Sequence, residues 1–150
     1  MNDNMINAGA FEYITEQEMT VERISTVLNL AYIQAEIDPD GDISIRDNYH
    51  RVYMQVNVRS KLLWLRAYYK ELDHVSRSVL ESAIVKINDQ FIFANIQLGE
   101  HRLYVDTSLD YRNGLPAHTI VFTLRRLFTM AETVIDRLQQ EIGDGGDEKA

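Results

Sequence analysis

The chain has no cysteine among its 150 residues. That excludes a disulfide framework and every thiolate metal site. No apolar run approaches the roughly 20 residues needed to cross a bilayer as a helix. The opening MNDNMINAGAFEYITEQE has neither the basic flank nor the apolar core of a signal peptide. The placement expected on these grounds is cytoplasmic. Catalytic motifs are missing too: there is no GxSxG elbow, no P-loop, no GxGxxG and no HExxH. The four histidines, His50, His74, His101 and His118, show no metal-ligand spacing. No catalytic residue, metal or cofactor is expected, and the chain reads as not an enzyme. Aromatic motifs of RNA-binding strands are also absent.

What is present is ordinary for one globular domain: 45% hydrophobic and 25% charged residues. The length allows a sizeable core. A net charge of −8 repels nucleic acid and anionic membrane, so neither is an expected partner. The charge is uneven. Residues 46–70 hold six basic side chains, Arg46, Arg51, Arg59, Lys61, Arg66 and Lys70, against the single acid Asp47. The remainder carries nine basic and 22 acidic residues. Such a stretch suits an acidic partner, or it guards a strand edge against aggregation.

Residues 1–18 have little periodicity and read as a loosely attached arm. Thr20 is a good N-cap, and Val21, Ile24, Val27, Leu28 and Ala31 follow on one helical face. Pro39 and Gly41 then force a turn, and Ile43 and Ile45 alternate as a short strand. Asp38, Asp40 and Asp42 have the wrong spacing for an EF-hand and read as an acidic turn. In NYHRVYMQVNV, Val52, Met54, Val56 and Val58 share one face; Tyr53, Gln55 and Asn57 share the other. LLWLRAYYK is apolar on both sides, so each face wants cover from a helix or a second subunit. A helix capped at Asp73 carries the stripe Val75, Val79, Leu80, Ala83, Ile84 and Ile87.

The last third is the clearest signal. FIFANIQL and HRLYVDTSLDY read as a hairpin around Gly99-Glu100, and Asn113-Gly114 turns the chain into Pro116. Ile120, Leu124, Leu127, Phe128, Ala131, Val134, Ile135, Leu138 and Ile142 then keep helical step, with Gly143 as a C-cap and a polar tail over 143–150. The order α-β-β-β-α-β-β-α predicts an α+β fold, with an antiparallel five-stranded sheet, three helices and a single domain over 19–142.

The stretch ANIQLGEHRLYVDTSLDYRNGL before a long helix resembles the YbjN family, bacterial proteins described as candidate sensory transduction regulators. Leu98-Gly99, Leu109 to Tyr111 and Gly114-Leu115 carry the match, within about residues 20–138. That family is similar in fold to type III secretion chaperones. The resemblance implies a compact protein-binding module, often a homodimer, without chemistry of its own. The candidate interaction surface comprises Leu63, Trp64, Leu65, Arg59, Lys61, Arg66, Val79 and Ile84, with Leu63, Leu65, Val79 and Ile84 the residues expected at a dimer contact. The alternative reading is a small-molecule sensor with an apolar pocket between sheet and C-terminal helix, lined by Phe91, Phe93, Tyr104, Phe122 and Phe128.

Overall fold

The computed structural model describes residues 12–46, 51–69, 74–100 and 102–146. Eight strands and three helices follow in order: β1 (Tyr13–Ile14), α1 (Val21–Leu30), β2 (Ala35–Ile37), β3 (Ile43–Arg46), β4 (Arg51–Asn57), β5 (Leu62–Tyr69), α2 (Arg77–Asn88), β6 (Asn95–Leu98), β7 (Leu103–Asp110), β8 (Leu115–Pro116) and α3 (Ala117–Gly146). The main sheet has six strands in the order β2-β3-β4-β5-β7-β6, and β1 and β8 form a separate two-stranded ribbon. All pairings are antiparallel. The α+β class with three helices stands, and the expected count of five strands is corrected to six. The added strand, β2, is three residues long and follows closely on α1, so it is too short for period-two alternation to register. It pairs with β3 across the acidic turn, where the Asp38 carboxylate accepts the Asp40 and Asp42 amides at 2.9 and 3.0 Å.

The pleat sorts the sheet into two faces. Ala35, Ile43, Ile45, Val52, Met54, Leu63, Leu65, Ala67, Ile96, Leu103 and Val105 are buried against the helices. α3 lies across the central strands β5 and β7, α1 packs at the β2 edge, and α2 packs on β6 and α3. The predicted stripe of α3 does this work: Ile120, Leu124, Leu127, Ala131, Val134 and Leu138 are all buried. The helix runs on to Gly146, past the expected cap at Gly143.

Local chemistry fixes the ends. Thr20 caps α1 as expected, its hydroxyl accepting the Arg23 amide at 3.2 Å. α2 starts at Arg77 behind Ser76; the expected cap Asp73 lies outside the described residues, as do Asp47, His50, Lys70 and His101. α1 ends in a Schellman motif, with Ile33 N–H donating to the Leu28 carbonyl and Tyr32 N–H to that of Asn29. Tyr32 occupies the left-handed position at φ 60°, where glycine is usual.

At each edge of the main sheet an asparagine from the neighbouring helix binds one backbone position of the edge strand. Asn29 of α1 accepts the Ala35 amide at 3.3 Å and donates to the Ala35 carbonyl at 3.3 Å. Asn88, the last residue of α2, accepts the Ile96 amide at 3.2 Å. Unpaired edge amides invite a foreign strand, and these two are already satisfied.

Of the segment expected to hang loosely, residues 1–11 lie outside the described residues. Residues 12–18 are fastened to the body. Tyr13 and Ile14 pair with Pro116 and Leu115, the Ala117 amide donates to the Glu12 carbonyl at 2.7 Å, and Ile14 is fully buried. Tyr13 also donates its hydroxyl to the Asn113 carbonyl. Gly114, at φ 82°, permits this closure: a Cβ there would stand 2.5 Å from the Ile14 carbonyl oxygen.

Candidate interaction surface

Among the described residues, no helix packs on the second face of the sheet. Its outward positions run in register across the strands. Ser44, Tyr53, Arg66, Asp106 and Asn95 form one row, and Arg46, Arg51, Tyr68, Tyr104 and Gln97 bring together the next. A third holds Gln55, Trp64 and Ser108. This composition is polar and aromatic, and Trp64 keeps 36% of its surface exposed.

At the centre, Arg66 grips Asp106 through Nε at 2.6 Å and Nη2 at 2.9 Å. Asp106 is almost fully buried, whereas the Arg66 side chain keeps 37% exposure. The carboxylate hydrogen bond pushes the Arg66 pKa further up, so this arginine stays charged. Around the pair, Tyr53, Tyr68 and Tyr104 stand edge to face, with centroids 5.1 and 5.0 Å apart. Burial raises the Tyr68 hydroxyl pKa, against the pull of Arg66. The Tyr68 phenol therefore presents a neutral O–H group at neutral pH.

Two shallow depressions lie side by side on this face. One, about 280 Å³, is lined by Tyr53, Gln55, Asn57, Trp64, Arg66 and Tyr68. The other, about 540 Å³, lies over the β2–β3 hairpin and reaches Glu36, Ser44, Arg46 and Arg51.

The expected surface residues divide. Trp64 and Arg66 sit on the open face. Arg59 is exposed in the β4–β5 turn, and Lys61 in that turn pairs with Glu16 at 3.3 Å. Leu63 and Leu65 are fully buried, facing the helices; the pleat sends alternate residues of this apolar strand to opposite sides, so they are core and not surface. Ile84 is likewise buried, and Val79 is exposed at 43% on α2. The five aromatics expected around a ligand pocket do not converge. Tyr104 belongs to the open face, while Phe122 is 62% exposed on α3 beside His118. Alternation along the sequence places Tyr53 with Gln55 and Asn57. Alternation along β4 also places Arg51 on the face of Tyr53, but the register that joins β4 and β5 to Tyr104 on β7 carries no signal along the chain. Among the described residues no group of His, Asp and Glu side chains is arranged to hold a metal.

No family model and no curated protein matches this chain. Solved structures do. A chain in the structure of the HopA1–SchA chaperone–effector complex is similar with a TM-score of 0.56 and 14% identity, over 83% of this chain and 94% of that one. YbjN from E. coli, described as a candidate transcription regulator, is similar with a TM-score of 0.57 and 10% identity, over 85% of this chain and 92% of its own. The fold is therefore YbjN-like and shared with a chain of a chaperone–effector assembly. At these identities the likeness is one of fold.

Proposed function

We propose that the chain is a non-catalytic protein-interaction module, chaperone-like or regulatory, that binds another protein over the open face of its sheet. The observation that carries this reading is the face itself, on which no helix packs among the described residues. Exposed Trp64, three clustered tyrosines and Arg66 sit there, the residue types that dominate binding hot spots. The asparagine bonds to the Ala35 and Ile96 amides leave fewer free edge amides for strand addition and so favour the face. Similarity in fold to a chain of a chaperone–effector complex supports the same reading. The setting we propose is the bacterial cytoplasm. Self-association belongs to the proposal as well; among the residues expected at a dimer contact, Val79 is the exposed one. Light scattering at high concentration tests that part, and a strict monomer counts against it.

Affinity capture with the intact chain tests the main reading. Proteins retained by the wild type should be lost with Trp64→Ala and kept with Phe122→Ala, which lies on the exposed side of α3. Retention that ignores Trp64→Ala counts against the open face.

A further inference from the structure

An arginine lies over each tyrosine of the open face. Arg51 is 5.5 Å from the Tyr53 ring, Arg102 is 5.8 Å from Tyr68, and Arg66 is 4.8 Å from Tyr104. Stacking of this kind orients a guanidinium and leaves its N–H edge able to donate. Arg66 commits its fork to Asp106, which leaves Arg51 and Arg102 as the oriented donors. Arg46 is the cross-strand partner of Arg51. Like charges directly opposite destabilise a sheet, and an anion between them reverses that effect. The positive charge is local: Glu36 and Asp38 line the depression that Arg46 and Arg51 share, but the cross-strand row from Arg46 and Arg51 through Tyr68 and Tyr104 to Gln97 holds no acidic side chain.

We infer that the open face takes an extended, carboxylate-rich segment of a partner protein. This rests on the protein-binding reading above and names the chemistry of that site. Arg46, Arg51 and Arg102 receive the acidic side chains, and the depression beside Trp64 receives an apolar one. A nucleobase fits less well, because stacking needs an open ring face and each tyrosine already carries a guanidinium. A polyphosphate also meets the repulsion of the whole chain. A second copy would bring Arg51 and Arg102 against their own kind.

Fluorescence anisotropy with the full chain tests the inference, using three labelled probes: a short peptide of alternating glutamate and leucine, its lysine–leucine counterpart, and an oligothymidine. The acidic peptide should bind, weaken with added salt, and lose about tenfold or more in affinity in the R51A/R102A variant. The other two probes should not bind. Circular dichroism of the variant should match the wild type, since both arginines are on the surface. Tighter binding by the lysine peptide or the oligothymidine overturns the inference, and so does an affinity unchanged in the double variant. If the lysine peptide binds and Trp64→Ala weakens it, the face still holds protein and only the acidic chemistry is wrong. If no peptide binds and capture also ignores Trp64→Ala, the protein-binding reading falls with it.

Discussion

Arg66 and Asp106 face each other across β5 and β7 and form a bidentate pair whose two halves differ in access to water. Asp106 is 2% exposed, while the arginine reaches solvent. The consequences of breaking the pair should therefore be unequal. Arg66→Met strands a buried carboxylate and should cost about 3 kcal/mol. Asp106→Asn leaves a guanidinium that water can serve and should cost about 1 kcal/mol. The combined Arg66→Met, Asp106→Leu variant should recover much of the loss. Urea unfolding of the three variants measures this, and equal costs for the two single changes would contradict it.

Gly114 and Gly41 both sit at positive φ, 82° and 86°, with different surroundings. A Cβ at Gly114 would meet backbone, the Ile14 oxygen, whereas one at Gly41 would meet nothing within 4 Å. Gly41→Ala should cost about 1 kcal/mol from conformation alone. Gly114→Ala should cost about 2 kcal/mol or more, because the clash falls on the β1–β8 pairing. Limited proteolysis should also find the N-terminal segment cut faster in Gly114→Ala.

The same contrast shows how far the sequence speaks. Asn113-Gly114 and Pro116 marked a turn, and the stripe from Ile120 to Leu138 marked its helix, because both signals are local. That Tyr13 and Ile14 return to pair with Pro116 and Leu115 is a contact between distant parts of the chain, and their apolar character alone gave no partner. Strand β5 was ambiguous for a related reason. Leu63 and Trp64 are both apolar in composition, and only the position of α3 decides which is core. The bonds from Asn29 and Asn88 to the edge strands were invisible, since an asparagine near a helix end reads as a stop signal. The open face was half legible: Trp64 and Arg66 were singled out, but Arg66 over Tyr104 depends on the register of β5 with β7, and Arg102 over Tyr68 joins distant parts of the chain.

Tyr32 holds a left-handed conformation at the Schellman position while 82% exposed. A bulky side chain is disfavoured there, and exposure leaves little packing in compensation. Tyr32→Gly should raise stability by about 0.5 kcal/mol. Thermal unfolding checks it; a clear loss of stability would mean that the ring packs on the body.

Tyr69 points toward α3. Burial pushes its pKa upward, and Glu132 and Asp136 push it the same way. Tyrosine in the unfolded chain ionises near pH 10. The folded value is raised, so the stabilisation is complete below about pH 10 and is lost as the pH climbs toward the folded pKa. Urea midpoints should fall between about pH 8 and about pH 11, and Tyr69→Phe should make that fall shallower. Burial at Tyr68 raises its pKa too, so part of the slope should remain.

The central claim is that a protein partner covers the sheet face opposite the helices. Site-specific photo-crosslinking in the host cell measures this most directly, with the reactive group placed at Gln55 on the open face or at Phe122 on the exposed side of α3. Covalent adducts with another protein are expected from position 55 and none from position 122. Adducts from position 122 alone would contradict it.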